Sequence, residues 1–358
     1  MQPPRSPPRG FTLLELMFVV AISGIVIAGI TKALVDLSRT SRVRNLNASM
    51  QGEGRDALQY MQRDVRQASL GATAGVIWAQ DPAGSVIRRP AVQIFDNVTG
   101  GAGLDVKPGT DAILVVGAAR GAGAVAQGAH FDATQTLTVT DVSEFHVGDS
   151  VLAGSYEQAA WARVTAVNPV TPPAGGLNLG ATQNVYPRGK LDAGAMVRPA
   201  RARLYYVSRL DELVQLDLLV PRAPAAADEI GGREVIARGF ENLQVDCDTD
   251  NGVAAGACPA PVTSQPPATE AVWAFGAWAG GGARLDEVSV STLRTVVLMV
   301  AVRSASPMLD TQGEEKIALG NQVALSPGLP AGADPDQPYL RRSYRLPVAV
   351  RNVSLGAM

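Results

Sequence analysis

From Phe11 to Thr31 the chain carries a single charged side chain, Glu15. About 20 apolar residues in a helix cross the hydrocarbon core of a bilayer. The run FTLLELMFVVAISGIVIAGITKALV, Phe11 to Val35, is therefore long enough to do so. A single segment in lipid must satisfy its own backbone groups, which makes it a helix. The ten residues before it, MQPPRSPPRG, are polar, hold Arg5 and Arg9, and contain four prolines that forbid a helix. Cations ahead of the span, and none behind Glu15 until Lys32, favour a cytoplasmic leader and an outward C-terminus. A cleaved secretory signal fits poorly, because no small-x-small site ends the apolar run before Lys32. A plain signal anchor fits poorly because of Glu15: a carboxylate in an apolar helix costs about 2.5–3.5 kcal/mol on insertion scales and calls for a partner.

Behind the span the pattern turns amphipathic. Val43, Leu46, Met50, Gly54, Ala57, Met61, Val65 and Ala68 recur at steps of three or four, one helical stripe. Arg42, Arg44, Arg55, Asp56, Arg63, Asp64 and Arg66 mostly fall off it. Gly52 and Gly54 weaken the middle by about 1 kcal/mol each against Ala. The expected division is a leader over 1–10, an apolar helix over 11–35, its amphipathic extension over 36–71, and a β-rich domain over 72–358.

That last domain shows no long helical period. Short apolar or alternating runs recur at Val92–Phe95, Ala112–Val116, Thr136–Thr140, Ser150–Ala153, Ala162–Val167, Leu204–Val207, Leu213–Leu219, Leu243–Val245, Thr295–Val302 and Ser343–Val350. Segments rich in Gly, Pro and Ala separate them, as in an antiparallel sheet. The piece from Gly117 to Pro199 reads as a β insertion. Gly117–Gly128, Thr171–Gly180, Arg222–Gly232, Gly252–Thr269 and Ser326–Pro338 read as exposed loops. The fold class expected is α+β, a long helix packed on an antiparallel sheet.

Composition narrows the function. With 46% apolar and 18% charged residues among 358, the chain can bury a core. A formal net charge of -2 excludes a strongly basic nucleic-acid binder, so nucleic acid is not expected as the primary partner. No catalytic set is visible. His130 and His146 are the only histidines and read as loop or surface residues. Ser155 lacks the second glycine of a nucleophile elbow, and Gly121-Ala122-Gly123 lacks the rest of a dinucleotide fingerprint. Trp273, Phe275 and Trp278 lie close together between glycine-rich segments and read as core in preference to a partner surface.

Cys247 and Cys258 close a short loop. In an exported domain two thiols favour a disulfide over free cysteines or an intermolecular bond. Asp246, Asp248 and Asp250, followed by Asn251-Gly252, offer alternate oxygen ligands to calcium. The glycine comes one place late for a calcium loop and Ala257 stands where a closing Glu belongs, which favours a solvated acidic loop with no cofactor.

The junction Arg9-Gly10-Phe11-Thr12-Leu13-Leu14-Glu15 resembles the class III signal of type IV pilins and type II secretion pseudopilins: a short basic leader, Gly, Phe, and Glu five residues into the mature chain. The resemblance implies cleavage between Gly10 and Phe11 by a prepilin peptidase and N-methylation of Phe11. It also implies that Glu15 neutralises the N-terminal amine of a neighbouring subunit, which would supply the missing partner. Met50–Gly71, Leu204–Val207, Gly239–Val245, Val297–Ser304 and Arg341–Asn352 occur in the order seen in PilW-type minor pilins. That likeness implies a subunit held in the inner membrane by one span with a periplasmic domain, then assembled with other minor pilins and the major pilin through the inner-membrane assembly platform. It implies a structural part in priming or capping a cell-surface type IV pilus, for motility, adhesion or DNA uptake, and no catalysis. A minor pseudopilin of a type II secretion system shares the whole N-terminal signal. An exported enzyme or ligand-binding β domain on a pilin-like anchor is the alternative of another class.

Overall fold

The structure is a computed structural model that describes residues 12–68, 76–80, 86–99, 103–119, 124–125, 136–154, 159–171, 174–180, 195–219, 232–249, 266–267, 293–304 and 341–350. One helix, α1 (Leu13–Arg66), runs for 54 residues. No proline occurs between Gly10 and Pro82 to break it. Arg63 and Arg66 in its last turn complement the helix dipole. It closes in a tight turn in which the Gln67 and Ala68 N–H groups donate to the Asp64 and Val65 carbonyls at 3.0 and 3.1 Å. The chain divides into two compact units, Met1–Ser49 and Met50–Met358.

In the first unit the helix residues from Leu13 to Arg42 are consistently solvent-facing. Leu13 is 79% exposed and Ile25 74%. The helix is long and apolar enough to cross a membrane, and none of its most apolar 18-residue window is buried.

The second unit holds the strands: β1 (Val76–Gln80), β2 (Val86–Pro90), β3 (Val92–Phe95), β4 (Ala112–Ala118), β5 (Ala124–Val125), β6 (Thr136–Val139), β7 (Ser150–Gly154), β8 (Ala159–Thr171), β9 (Ala174–Gly180), β10 (Met196–Val207), β11 (Glu212–Asp217), β12 (Arg233–Arg238), β13 (Phe240–Thr249), β14 (Leu293–Arg303) and β15 (Arg341–Ala349). The first 12 form one sheet and β13-β14-β15 a second. Among the described residues pairing is antiparallel apart from one parallel bridge, Trp78 to Ala160. With α1 this is an α+β fold.

Strand β10 organises the larger sheet. Its first residues, Met196 to Pro199, pair with β7, and from Ala200 it pairs with β4. The partner changes at Pro199, which has no N–H to give a ladder. Strand β4 is buried on both faces, so its sequence, AILVVGA, runs apolar without alternating. Strand β10 is buried on both faces from Leu204 to Val207, and before that it alternates, with Arg201 and Arg203 on one face. One face, with Ile113, Val115, Tyr205 and Val207, shares a core with Ala57, Met61 and Val65 of α1 and with Leu243, Leu298, Val300 and Val348 of the second sheet. The other face, with Leu114, Val116, Leu204 and Tyr206, packs on Ile77, Leu152 and Trp161. A third core, with Leu137, Val151, Val164, Leu177 and Val197, lies within β6–β10, mostly inside the stretch read as a β insertion.

Gly239 carries the chain from one sheet to the other. It sits between β12 and β13 with φ of 78°. A Cβ there would stand 2.8 Å from the Arg303 carbonyl oxygen, so only glycine fits.

Two expectations need correction. Thr171–Gly180 is not an exposed loop: Ala174–Gly180 is strand β9, paired with both β6 and β8, and its Leu177 and Leu179 are buried. Its sequence, AGGLNLG, lacks the β-branched residues that mark a strand. Gly175 instead lets the backbones close up, since a Cβ there would meet the Asn168 carbonyl oxygen at 2.7 Å. Gly117–Gly128 is likewise not all loop, because β4 continues to a buried Ala118 and β5 pairs with β10. The strands β1, β2 and β12 have no counterpart among the expected runs.

Candidate functional site

The residues that carry the resemblance lie at the start of α1. Gly10 and Phe11 fall outside the described residues. Thr12 caps the helix: the Glu15 N–H donates to the Thr12 Oγ1 at 3.3 Å. Thr12-x-x-Glu15 is the spacing of a capping box, and an acid in the first turn suits the positive end of the helix dipole. Glu15 is exposed within an otherwise apolar, exposed helical surface. The exposed apolar surface around it is of the kind that marks a membrane or protein contact.

The second unit contains a buried charge cluster where α1 meets the sheet. Asp64 is 3% exposed. It accepts from Arg201 Nη1 at 3.1 Å, Arg203 Nη1 at 2.9 Å and the Tyr205 hydroxyl at 2.5 Å. Burial and the neighbouring Asp64 both push the Tyr205 phenol up, so it stays a donor. The Tyr60 ring of α1 meets the Tyr205 ring edge-on at 6.4 Å. The sequence pattern alone places Asp64 off the apolar stripe. Its spacing, three residues after Met61 and four before Ala68, is equally that of the stripe. Arg201, Arg203 and Tyr205 alternate along one face of β10. A stripe acid facing an alternating Arg-x-Arg-x-Tyr strand is the signal that could have found this cluster.

Two smaller clusters brace the β10–β11 hairpin. Arg233 bridges Asp105 at 3.1 Å and Glu212 at 3.0 Å, while the Tyr206 hydroxyl donates to Asp105 at 2.7 Å. Asp211, at positive φ in the turn, takes Lys107 at 2.5 Å and Arg303 at 2.9 Å. Asp111 stitches the two sheets together. Its carboxylate accepts from the Asn97 N–H at 2.9 Å and the Val245 N–H at 2.8 Å, and its own N–H donates to the Leu243 carbonyl at 2.8 Å. Burial pushes the Asp111 carboxyl up to about 6, against those two N–H donors and with Asp96 adding to the rise.

The other expected site residues are scattered or undescribed. Cys247 lies opposite Val296 in the β13–β14 register, but Cys258, and hence the disulfide, falls outside the described residues. Asp246 is part of β13; the Asp248 side chain and Asp250 fall outside. His146 is an exposed turn residue with Nδ1 3.5 Å from Asp149. His130, Ser155, Gly121–Gly123 and Trp273, Phe275 and Trp278 fall outside. Among the described residues no group of three His, Cys, Asp or Glu side chains converges to hold a metal.

Among known protein families, the one described as the prokaryotic N-terminal methylation motif matches residues 5–31. No curated protein and no solved structure matches the chain. The matched residues contain Gly10, Phe11, Glu15 and the apolar start of α1, so the N-terminal segment carries the methylation motif, which supports a type IV pilin-like or pseudopilin protein.

Proposed function

We propose that the protein is a minor pilin of PilW type: a structural subunit that is cleaved between Gly10 and Phe11, methylated on Phe11, and assembled with other minor pilins and the major pilin to prime or cap a type IV pilus. The observation that carries this reading is the methylation motif at residues 5–31, continuous with an exposed apolar helix and followed by a β domain. A helix exposing Leu13 to Leu37 needs lipid before assembly and neighbouring helices after it. Glu15 supplies the charge that pairs with a neighbour's N-terminal amine once the leader is removed. Before assembly the chain sits in the inner membrane, with its β domain on the periplasmic side. The order of short segments behind the signal supports the PilW-type assignment over a minor pseudopilin.

Co-expression with a prepilin peptidase tests the reading. Mass spectrometry should find an N-terminus at methylated Phe11; an intact leader would defeat the proposal. Glu15→Ala should be cleaved normally yet be depleted from sheared filaments. Capture by the pilins of its own operon, and not by pseudopilins, separates the pilus from the secretion system.

A further inference from the structure

Beyond the apolar span the helix changes character abruptly. Lys32, Arg39, Arg42 and Arg44 are all helical and exposed. Asp36 is the only acid between Leu16 and Gly52. Lys32 stands about 25 Å along the axis from Glu15 at 1.5 Å per residue, close to the thickness of a hydrocarbon core. Arg39 follows roughly 10 Å further out, and Arg42 and Arg44 about 15 and 18 Å. At about 100° per residue, Lys32, Arg39 and Arg42 fall within roughly 80° of one another around the helix. The helix runs unbroken through the band, and Thr31 and Thr40 within it donate their hydroxyls back to the Ile27 and Asp36 carbonyls at 2.8 and 2.9 Å.

We propose that Lys32, Arg39, Arg42 and Arg44 form a docking surface for anionic phospholipid headgroups on the side of the membrane opposite the leader. The proposal rests on the membrane-inserted state proposed above. The apolar span sets the height of each cation. With Glu15 near one boundary, Lys32 enters the opposite headgroup layer. Arg39 reaches the outer edge of that layer, and Arg42 and Arg44 lie within about one Debye length of it. Long Lys and Arg side chains extend back along the helix to reach phosphates. Four cations on this side run against the usual bias of Lys and Arg toward the cytoplasm. An anionic surface offsets that arrangement and holds the unassembled subunit at a fixed depth. Removal of the leader, with Arg5 and Arg9, leaves this band as the main cationic grip on the bilayer.

The test uses the full chain reconstituted in vesicles of phosphatidylglycerol and phosphatidylcholine. Spin-labelled versions of each lipid report which is held at the protein surface. Wild type should prefer phosphatidylglycerol on the order of fivefold, the ratio one surface cation can supply. The preference should fade near 1 M salt, where screening is strong. The combined Lys32→Gln, Arg39→Gln, Arg42→Gln and Arg44→Gln variant should lose most of it. Equal partitioning in wild type overturns the proposal. So does an unchanged preference in the variant, since Arg5 and Arg9 would then carry it. Resistance to alkaline extraction is scored in parallel. An extracted chain overturns both this proposal and the membrane reading, whereas a resistant chain without lipid preference overturns only the docking surface.

Discussion

Asp64 shows how one residue can tie a helix to a sheet. A buried carboxylate between two guanidinium groups and a phenol is satisfied only in one helix register. Rotating α1 by a single residue would leave charges buried without partners. Asp64→Ala should therefore cost about 3–5 kcal/mol, the range for breaking a buried pair from one side. Arg203→Ala should cost less, because that side chain is 26% exposed and can be rehydrated. Replacing Asp64, Arg201 and Arg203 together with apolar residues of similar volume should recover much of the loss. Urea unfolding of the detergent-solubilised chain checks the order of the three. Equal losses for Asp64→Ala and Arg203→Ala would refute the central role given to Asp64.

Between elements, Gly54 governs how closely α1 approaches β15. A Cβ at Gly54 would stand 2.7 Å from Tyr344 Cε2 and 2.9 Å from Cδ2. The sequence marks Gly54 only as a helix weakener, since propensity alone favours Ala by about 1 kcal/mol. Packing reverses that sign, because the ring must move to admit a methyl. Gly54→Ala should destabilise the chain by about 1 kcal/mol net, overpacking typically costing about 1–3. In a Tyr344→Ala background the same change should stabilise. The sign reversal is read from unfolding midpoints of the four proteins in the cycle, and its absence would rule out the contact as the reason for Gly54. The apolar stripe of α1 was legible because helical spacing survives in any packing. Strand β9 was not, because its place depends on close backbone approach, which has no signature in side-chain pattern.

Across the whole β-bearing unit, the two sheets meet at Asp111. Its carboxyl is raised from 3.8 to about 6 in the fold. Between those values the unfolded chain has released its proton while the folded chain keeps it, so stability from this group falls as pH rises. The fall should approach about 3 kcal/mol by pH 7, at roughly 1.4 kcal/mol per unit. This slope is opposite to that of an ion-paired carboxylate. Asp111→Asn should remove it: the stability of wild type relative to the variant should decline from pH 4 to pH 6.5 and then level off. Thermal unfolding across that range is the measurement. A wild-type stability that rises relative to the variant would mean that the N–H donors of Asn97 and Val245 outweigh burial.

Local pattern was enough for the N-terminal part of the chain. A 21-residue run with one charge can only be a helix seeking an apolar surround, and Glu15 in the spacing Gly-Phe-x-x-x-Glu marks it chemically. Those signals are written in composition and short spacings, so they are readable before any folding. Which polar residues are buried together was settled only by the folded chain. Asp64 lies 137 residues from Arg201, and Asp111 lies 134 from Val245. Strand order and register, which no local pattern encodes, bring such residues within hydrogen-bonding distance.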